Sequence, residues 1–318
     1  MRIEQVLTVE AVGPVAGTQL SLRRSRPRYG EAVVRLLLLA AASVSVLTTA
    51  GIIYSLVVPA VEFFGAVPVT AFIFGTEWSP LFADPKFGVL PLVVGTLVIT
   101  AIACMVAIPL GLASAIYLSE YASRRVRTVI KPALEVLAGI PTVIFGFFAL
   151  EFVTQVIIKA IWPDVQVFNA LSAGLVMGVM IIPTVASLSE DAMAAVPHAL
   201  REGAYALGST RRRVSTRVVV PAALSGIAAA FILAVSRAIG ETMIVAVAAG
   251  LQPNLSVNVF EGMQTMTSFI AAAGSGDLPT GSIGYKTIFA VGLLLFLMTL
   301  AMNVFSIRMV RRFRQVYE

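Results

Sequence analysis

Residues 87–119 contain no charged side chain, an unbroken run of 33 residues. A helix needs only about 20 apolar residues to cross the hydrocarbon core of a bilayer. Composition points the same way. Hydrophobic residues make up 58% of the chain, charged residues 13%, and mean hydropathy is +0.92. A soluble domain averages roughly 25% charged residues, so this chain has too few to cover a water-facing surface. The expectation is an all-α integral membrane protein.

Long apolar runs bounded by charges or turn formers give six candidate spans, near 33–61, 88–118, 133–158, 166–189, 219–250 and 285–307. The third is interrupted by Glu135 and Glu151, and the fourth is punctuated by Gly174, Gly178 and Pro183. Neighbouring helices can re-satisfy the backbone groups that such residues free, so both are read as packed, slightly irregular helices. A basic tail is expected over 1–31, a membrane domain over 32–307 and a second basic tail over 308–318. The apolar stretch after the first tail is longer than the ~7–15 residues of a signal-peptide core, and is expected to stay as a membrane helix.

Basic residues fix an expected orientation. The N-terminal tail through Arg35, the 119–132 connection, the 190–218 connection and the C-terminus hold 19 of the 23 lysines and arginines. These segments lie on alternate sides of the spans. The opposite side has only Lys86, Lys159 and Lys286 among several acids. Because inward loops carry the excess of Lys and Arg, both termini are placed in the cytoplasm, which an even number of crossings satisfies. The net charge of +6 follows from this bias. It calls for anionic lipid headgroups and for no nucleic acid.

Several chemistries are excluded. His198 is the only histidine and Cys104 the only cysteine, so neither a Cys/His metal set nor an internal disulfide is available. A phosphate-cradling loop ends in Gly-Lys-Ser/Thr, but Lys86, Lys131, Lys159 and Lys286 follow Pro, Ile, Ile and Tyr. No catalytic residue, metal site or cofactor is expected on this chain.

The 190–221 connection is the most informative stretch. Residues 192–195 and 201–207 are rich in helix formers, and Pro197 and Gly208 break them. Two short helices meeting at Gly208 predict an elbow projecting from the basic side; an amphipathic surface helix is the plainer alternative. Glu202-Gly203-Ala204, Gly208 and then Val218-Val219-Val220-Pro221 resemble the EAA signature of binding-protein-dependent ABC importer permeases, E-A-A, x3, G, x9, I-x-L-P. The departures are Gly203 for alanine, and Val218 and Val220 for the aliphatic pair. The resemblance implies the type I permease fold. It also implies that Glu202, Gly203, Ala204, Gly208 and Pro221 couple the membrane domain to a separate cytoplasmic ATPase, which would hold the ATP and magnesium.

Three further stretches are similar to phosphate importer permeases. They are the run Gly139-Ile140-Pro141-Thr142 to Gly146, Ser236-Arg237-Ala238-Ile239-Gly240-Glu241-Thr242, and the loop Gly75-Thr76-Glu77-Trp78-Ser79-Pro80 with Gly88-Val89-Leu90-Pro91. The loop looks like the PstC-type subunit. That likeness implies a bacterial inner-membrane protein that forms half of a phosphate pathway. Its partners would be a PstA-type second permease, an ATPase dimer and an extracytoplasmic phosphate-binding protein. Sulfate and molybdate permeases share the plan, and a secondary transporter is a more distant rival.

Arg237 carries the chemistry. An arginine at the centre of a span costs about 2.5–3.5 kcal/mol on insertion scales. Arg237 and Glu241 are four apart, so on a continuous helix they share a face and can pair. The pair is either structural, fixing helix packing, or a way-station where a guanidinium fork meets phosphate oxygens. Glu135 is expected to pair with Lys131. The loops 62–87 and 251–284, the second with a weakly helical stretch around Met263–Ala273, are read either as interfacial anchors or as docking surfaces.

Overall fold

The computed structural model describes residues 29–313, apart from Ala83 and Asp277, with side chains placed between residues 30 and 308. The tail expected over 1–31 thus lies almost wholly outside the described residues, as does the end of the C-terminal one. The described residues fall into two units that divide between Ile52 and Ile53. The described part of the first is the leading portion of helix α1 (Tyr29–Ala66), and every side chain from 30 to 52 is exposed. Leu36, Leu37, Leu38 and Leu39 are among them, an apolar surface suited to lipid or to a partner helix.

In the second unit, the end of α1 is followed by α2 (Val69–Phe74) and a ribbon of β1 (Trp78–Ser79) against β2 (Lys86–Phe87). Next come α3 (Leu90–Ile116), running on as a π-helical turn Tyr117–Tyr121, and α4 (Arg124–Gly139). Helix α5 (Thr142–Phe147) continues through a π-helical stretch Phe148–Ile158 into α6 (Lys159–Ile161). The long α7 (Ala170–Ala194) leads to α8 (His198–Ala206), α9 (Arg211–Val214), a π turn Ser215–Val219 and α10 (Val220–Ala222). Helix α11 (Leu224–Ile239), a π turn Val245–Ala249, α12 (Met266–Gly274) and α13 (Ile283–Phe313) complete the unit.

Among the described residues, five helices are long and apolar enough to cross a membrane. A sixth crossing follows if α9–α10 and α11, bent by 72°, count as one span. Two expected spans are not single helices. The one near 133–158 is divided at Ile140-Pro141: α4 ends at Gly139, because Pro141 disfavours helical dihedrals in the residue before it, and Ile140 is extended (ψ 131°). The one near 219–250 bends at Ala223 and stops at Ile239.

The core is centred on α3 and α7. Gly174 and Gly178 of α7 face Ile102 and Val106 of α3, and Gly111 of α3 faces Val185 of α7. A Cβ on these glycines would lie 2.6–2.8 Å from the facing side chains. Small residues four apart let helix backbones approach closely, so the glycines that interrupt the sequence pattern form the packing notch. At the end away from the basic loops, Phe63, Phe72, Phe87, Trp78 and Phe269 pack edge to face. Gly75 and Gly88 cross there with no room for side chains.

Candidate functional site

Two places gather chemistry. The first is the interruption after α11. Gly240 caps the helix, and the Glu241 carboxylate turns forward: its Oε1 accepts from Met243 N (3.1 Å) and Ile244 N (3.3 Å). Glu241 therefore caps the next helical turn, satisfying backbone donors that the break exposes. Its backbone carbonyl accepts from Thr267 Oγ1 at 2.6 Å. The shared helical face expected for Arg237 and Glu241 is thus lost. Arg237 instead donates from Nη1 to Thr184 Oγ1 of α7 (3.1 Å), and among the described residues it makes no ion pair. Its Nε and Nη2 and the Glu241 Oε2 have no acceptor or donor in the described protein. Both side chains are half-buried.

Thr267 lies in α12, within the weakly helical stretch that the sequence shows around 263–273 of the 251–284 connection. Residues 251–265 fold back against the bundle through Ala170 N to Glu261 O, Met263 N to Ala249 O and Gln264 N to Gln252 O. Residues 263–269 are all buried. Met266 N donates to Thr96 Oγ1 of α3 (3.1 Å), and Thr265 with Ser268 forms a capping box at the start of α12. The helix falls where the sequence is weakly helical, and residues 263–269 are packed core rather than a surface anchor. Glu261 is fixed by Asn254 and Asn258, both at 2.8 Å. A separate open cavity of about 450 Å³ lies at the same end, lined by Thr76, Glu77, Lys86 and Gly88.

The second place is the elbow. Helix α8 closes with Gly208 at φ +76°, its N–H on Tyr205 O, and Ser209 N on Ala204 O. This left-handed cap suits glycine. Glu202 is exposed, and Leu207 is 88% exposed at the tip. Gly203, where the signature has alanine, has nothing within 4 Å of the place a Cβ would take, so the departure is sterically free. Pro221 lies in α10 just before the bend at Ala223.

Around the elbow is an ionic cluster that sequence reading missed. Lys131 of α4 pairs with Glu190 (2.7 Å) and Asp191 (3.1 Å) of α7, not with Glu135. Glu135 is exposed and lines a cavity of about 200 Å³ with Lys131, Thr184 and Glu190. The hydrogen bond to Glu190 raises the Lys131 pKa above its usual 10.5; burial opposes this, and Asp191 adds to it. A raised lysine pKa gives stability that is fully present below the unfolded value and lost as pH rises through the folded one. The contact is therefore intact across the physiological range. Arg127 donates from Nη2 to Leu118 O (2.7 Å) and lies 3.6 Å from Glu190. The signal was there to read: Glu120 and Glu190 each sit just past an apolar run, in loops otherwise dominated by basic residues. Glu151 is exposed, with no partner among the described residues.

Comparison with known proteins decides the family. The model of the binding-protein-dependent transport system inner membrane component matches residues 107–315. The chain belongs to that family. Among relatives of this permease, the probable ABC transporter permease protein YqgH of Bacillus subtilis is 37% identical over 236 residues, covering 74% of this chain and 75% of that one. The phosphate transport system permease protein PstC 1 of Mycobacterium tuberculosis is 34% identical over 289 residues, covering 79% and 85%. The PstC of Mesorhizobium japonicum is 34% identical over 250 residues, covering 72% and 74%.

Solved structures agree on the permease fold. A bacterial alginate ABC transporter, in complex with an alginate pentasaccharide-bound periplasmic protein, aligns with TM-score 0.62 at 16% identity, over 90% of this chain and 98% of that one. The inward-facing MetNI methionine ABC transporter aligns with TM-score 0.54 at 18% identity, over 72% and 95%. At such identities the likeness concerns the fold alone, that of ABC importer permeases.

Proposed function

We propose that this permease forms half of the pathway of an ATP-driven inorganic phosphate importer, with both termini in the cytoplasm. The observation that carries the reading is Arg237. Its guanidinium is half-buried beside a helix break and, among the described residues, is tied to the protein through only one of its nitrogens. The open edge of its fork suits a tetrahedral oxyanion. Relatives at 34% identity named as phosphate permeases support the choice of anion. The free Oε2 of Glu241 suits the hydroxyl proton that phosphate keeps at neutral pH and sulfate lacks.

The elbow from Glu202 to Pro221 would seat in a separate ATPase, since no nucleotide loop exists in this sequence. A PstA-type permease would supply the other half of the pathway, and a phosphate-binding protein would dock at the end that bears the β-ribbon. Co-expression of the chain with a candidate ATPase and a PstA-type permease tests the assignment. A stable complex is expected, whose ATP hydrolysis rises when phosphate-loaded binding protein is added. A chain that purifies alone, or a complex that responds equally to sulfate, would count against the proposal.

A further inference from the structure

The helix that bears Glu202 has no fully buried residue, and among the described residues its one apolar contact with the core is Ala204, packed against the cluster around Met193, Val196 and Val214. A nine-residue helix with so little apolar burial is marginal in isolation, so what holds α8 to the membrane body matters. Arg201, the residue before Glu202, points inward. Its Nη1 donates to Val196 O (2.6 Å), and its Nη2 to Met193 O (2.7 Å) and to Glu120 Oε1 (3.1 Å). Its side chain is 13% exposed and that of Glu120 is 5% exposed. Ser119 Oγ also donates to Glu120 Oε1 (3.0 Å). One guanidinium thus joins α8, the last turn of α7 and the π turn that ends α3. Arg127 grips that same turn through the carbonyls of Leu118 and Ser119.

We infer that Arg201 and Glu120 are a positioning pair that makes the elbow move as one body with the inner ends of α3 and α7. The inference rests on the proposed reading of α8 as the ATPase contact. The pair carries displacement rather than binding the ATPase, because Glu202 and Leu207 face outward while Arg201 faces in. Helix α7 continues the path. Met193, held by Arg201, lies on the same helix as Thr184, which holds Arg237, about 14 Å away at 1.5 Å per residue. A planar fork with several donors suits this task, since it fixes direction as well as distance.

The test uses the assembled importer in proteoliposomes, with Cys104→Ala as background, and reads phosphate moved per ATP hydrolysed. Glu120→Gln keeps shape while removing charge. It is expected to leave complex yield and basal hydrolysis unchanged and to lower the ratio about tenfold, within the usual range of coupling between sites. A Glu120→Cys, Arg201→Cys pair should be uncoupled when reduced and regain coupling when bridged by a short bifunctional thiol reagent. An unchanged ratio in Glu120→Gln overturns the inference, as does loss of transport on bridging or failure of the ATPase to co-purify with either variant. If the unsubstituted complex shows no ATP-driven uptake, it is the importer reading that fails.

Discussion

Replacing Arg237 by Gln is expected to lower phosphate uptake about 10- to 100-fold, the scale of losing charge-assisted hydrogen bonds to one anion. The complex should still assemble. Glutamine can keep the bond to Thr184 Oγ1, and removing a half-buried cation relieves an insertion cost rather than adding one. Arg237→Lys should retain part of the rate, since it keeps the charge and loses the planar fork. Uptake of labelled phosphate, normalised to assembled complex, is the measurement. Wild-type uptake in Arg237→Gln would remove the residue from the pathway. Glu241→Gln should mainly weaken discrimination of phosphate from sulfate, because a carboxamide oxygen can still cap Met243 and Ile244 while the carboxylate charge is gone.

The largest structural effect is expected at the α3–α7 notch. Gly178→Val would place branched carbons against Val106 and against the backbone carbonyl of Ala103, where a Cβ alone lies 2.9 Å away. A backbone group cannot swing aside as a flexible side chain can, and overpacking costs about 1–3 kcal/mol. The variant should melt well below wild type in detergent and be recovered in lower yield. Gly65→Ala is the control, because nothing lies within 4 Å of that glycine and alanine favours the helix. Equal melting of wild type and Gly178→Val would mean that the two helices are not in this contact.

Hydropathy made the spanning helices legible, because the cost of burying charge in lipid leaves long uncharged runs such as 87–119. The elbow was legible too, since Pro197 and Gly208 act locally on backbone dihedrals. Interruptions within apolar segments were not. Hydropathy cannot separate a continuous helix over 219–250 from one that stops at Ile239 and restarts after a carboxylate cap. The inference that Arg237 and Glu241 pair depended on that continuity and fell with it. The helix near 263–273 was legible, but its inward fold was not: its polar groups are satisfied by Thr96, Glu241, Gln252 and each other, and those partners are distant in the sequence or set by the fold. Contacts between distant residues, such as Glu120 with Arg201 or Lys131 with Glu190, need the tertiary structure. Their one trace in the sequence is an acid standing where the side otherwise selects basic residues.

The most direct measurement of the account is uptake by proteoliposomes containing the full complex, with ATP supplied on the side of the elbow and binding protein on the other. Labelled phosphate should accumulate only when both are present, and labelled sulfate should not. Accumulation of phosphate without ATP, or of sulfate at the same rate as phosphate, would contradict it.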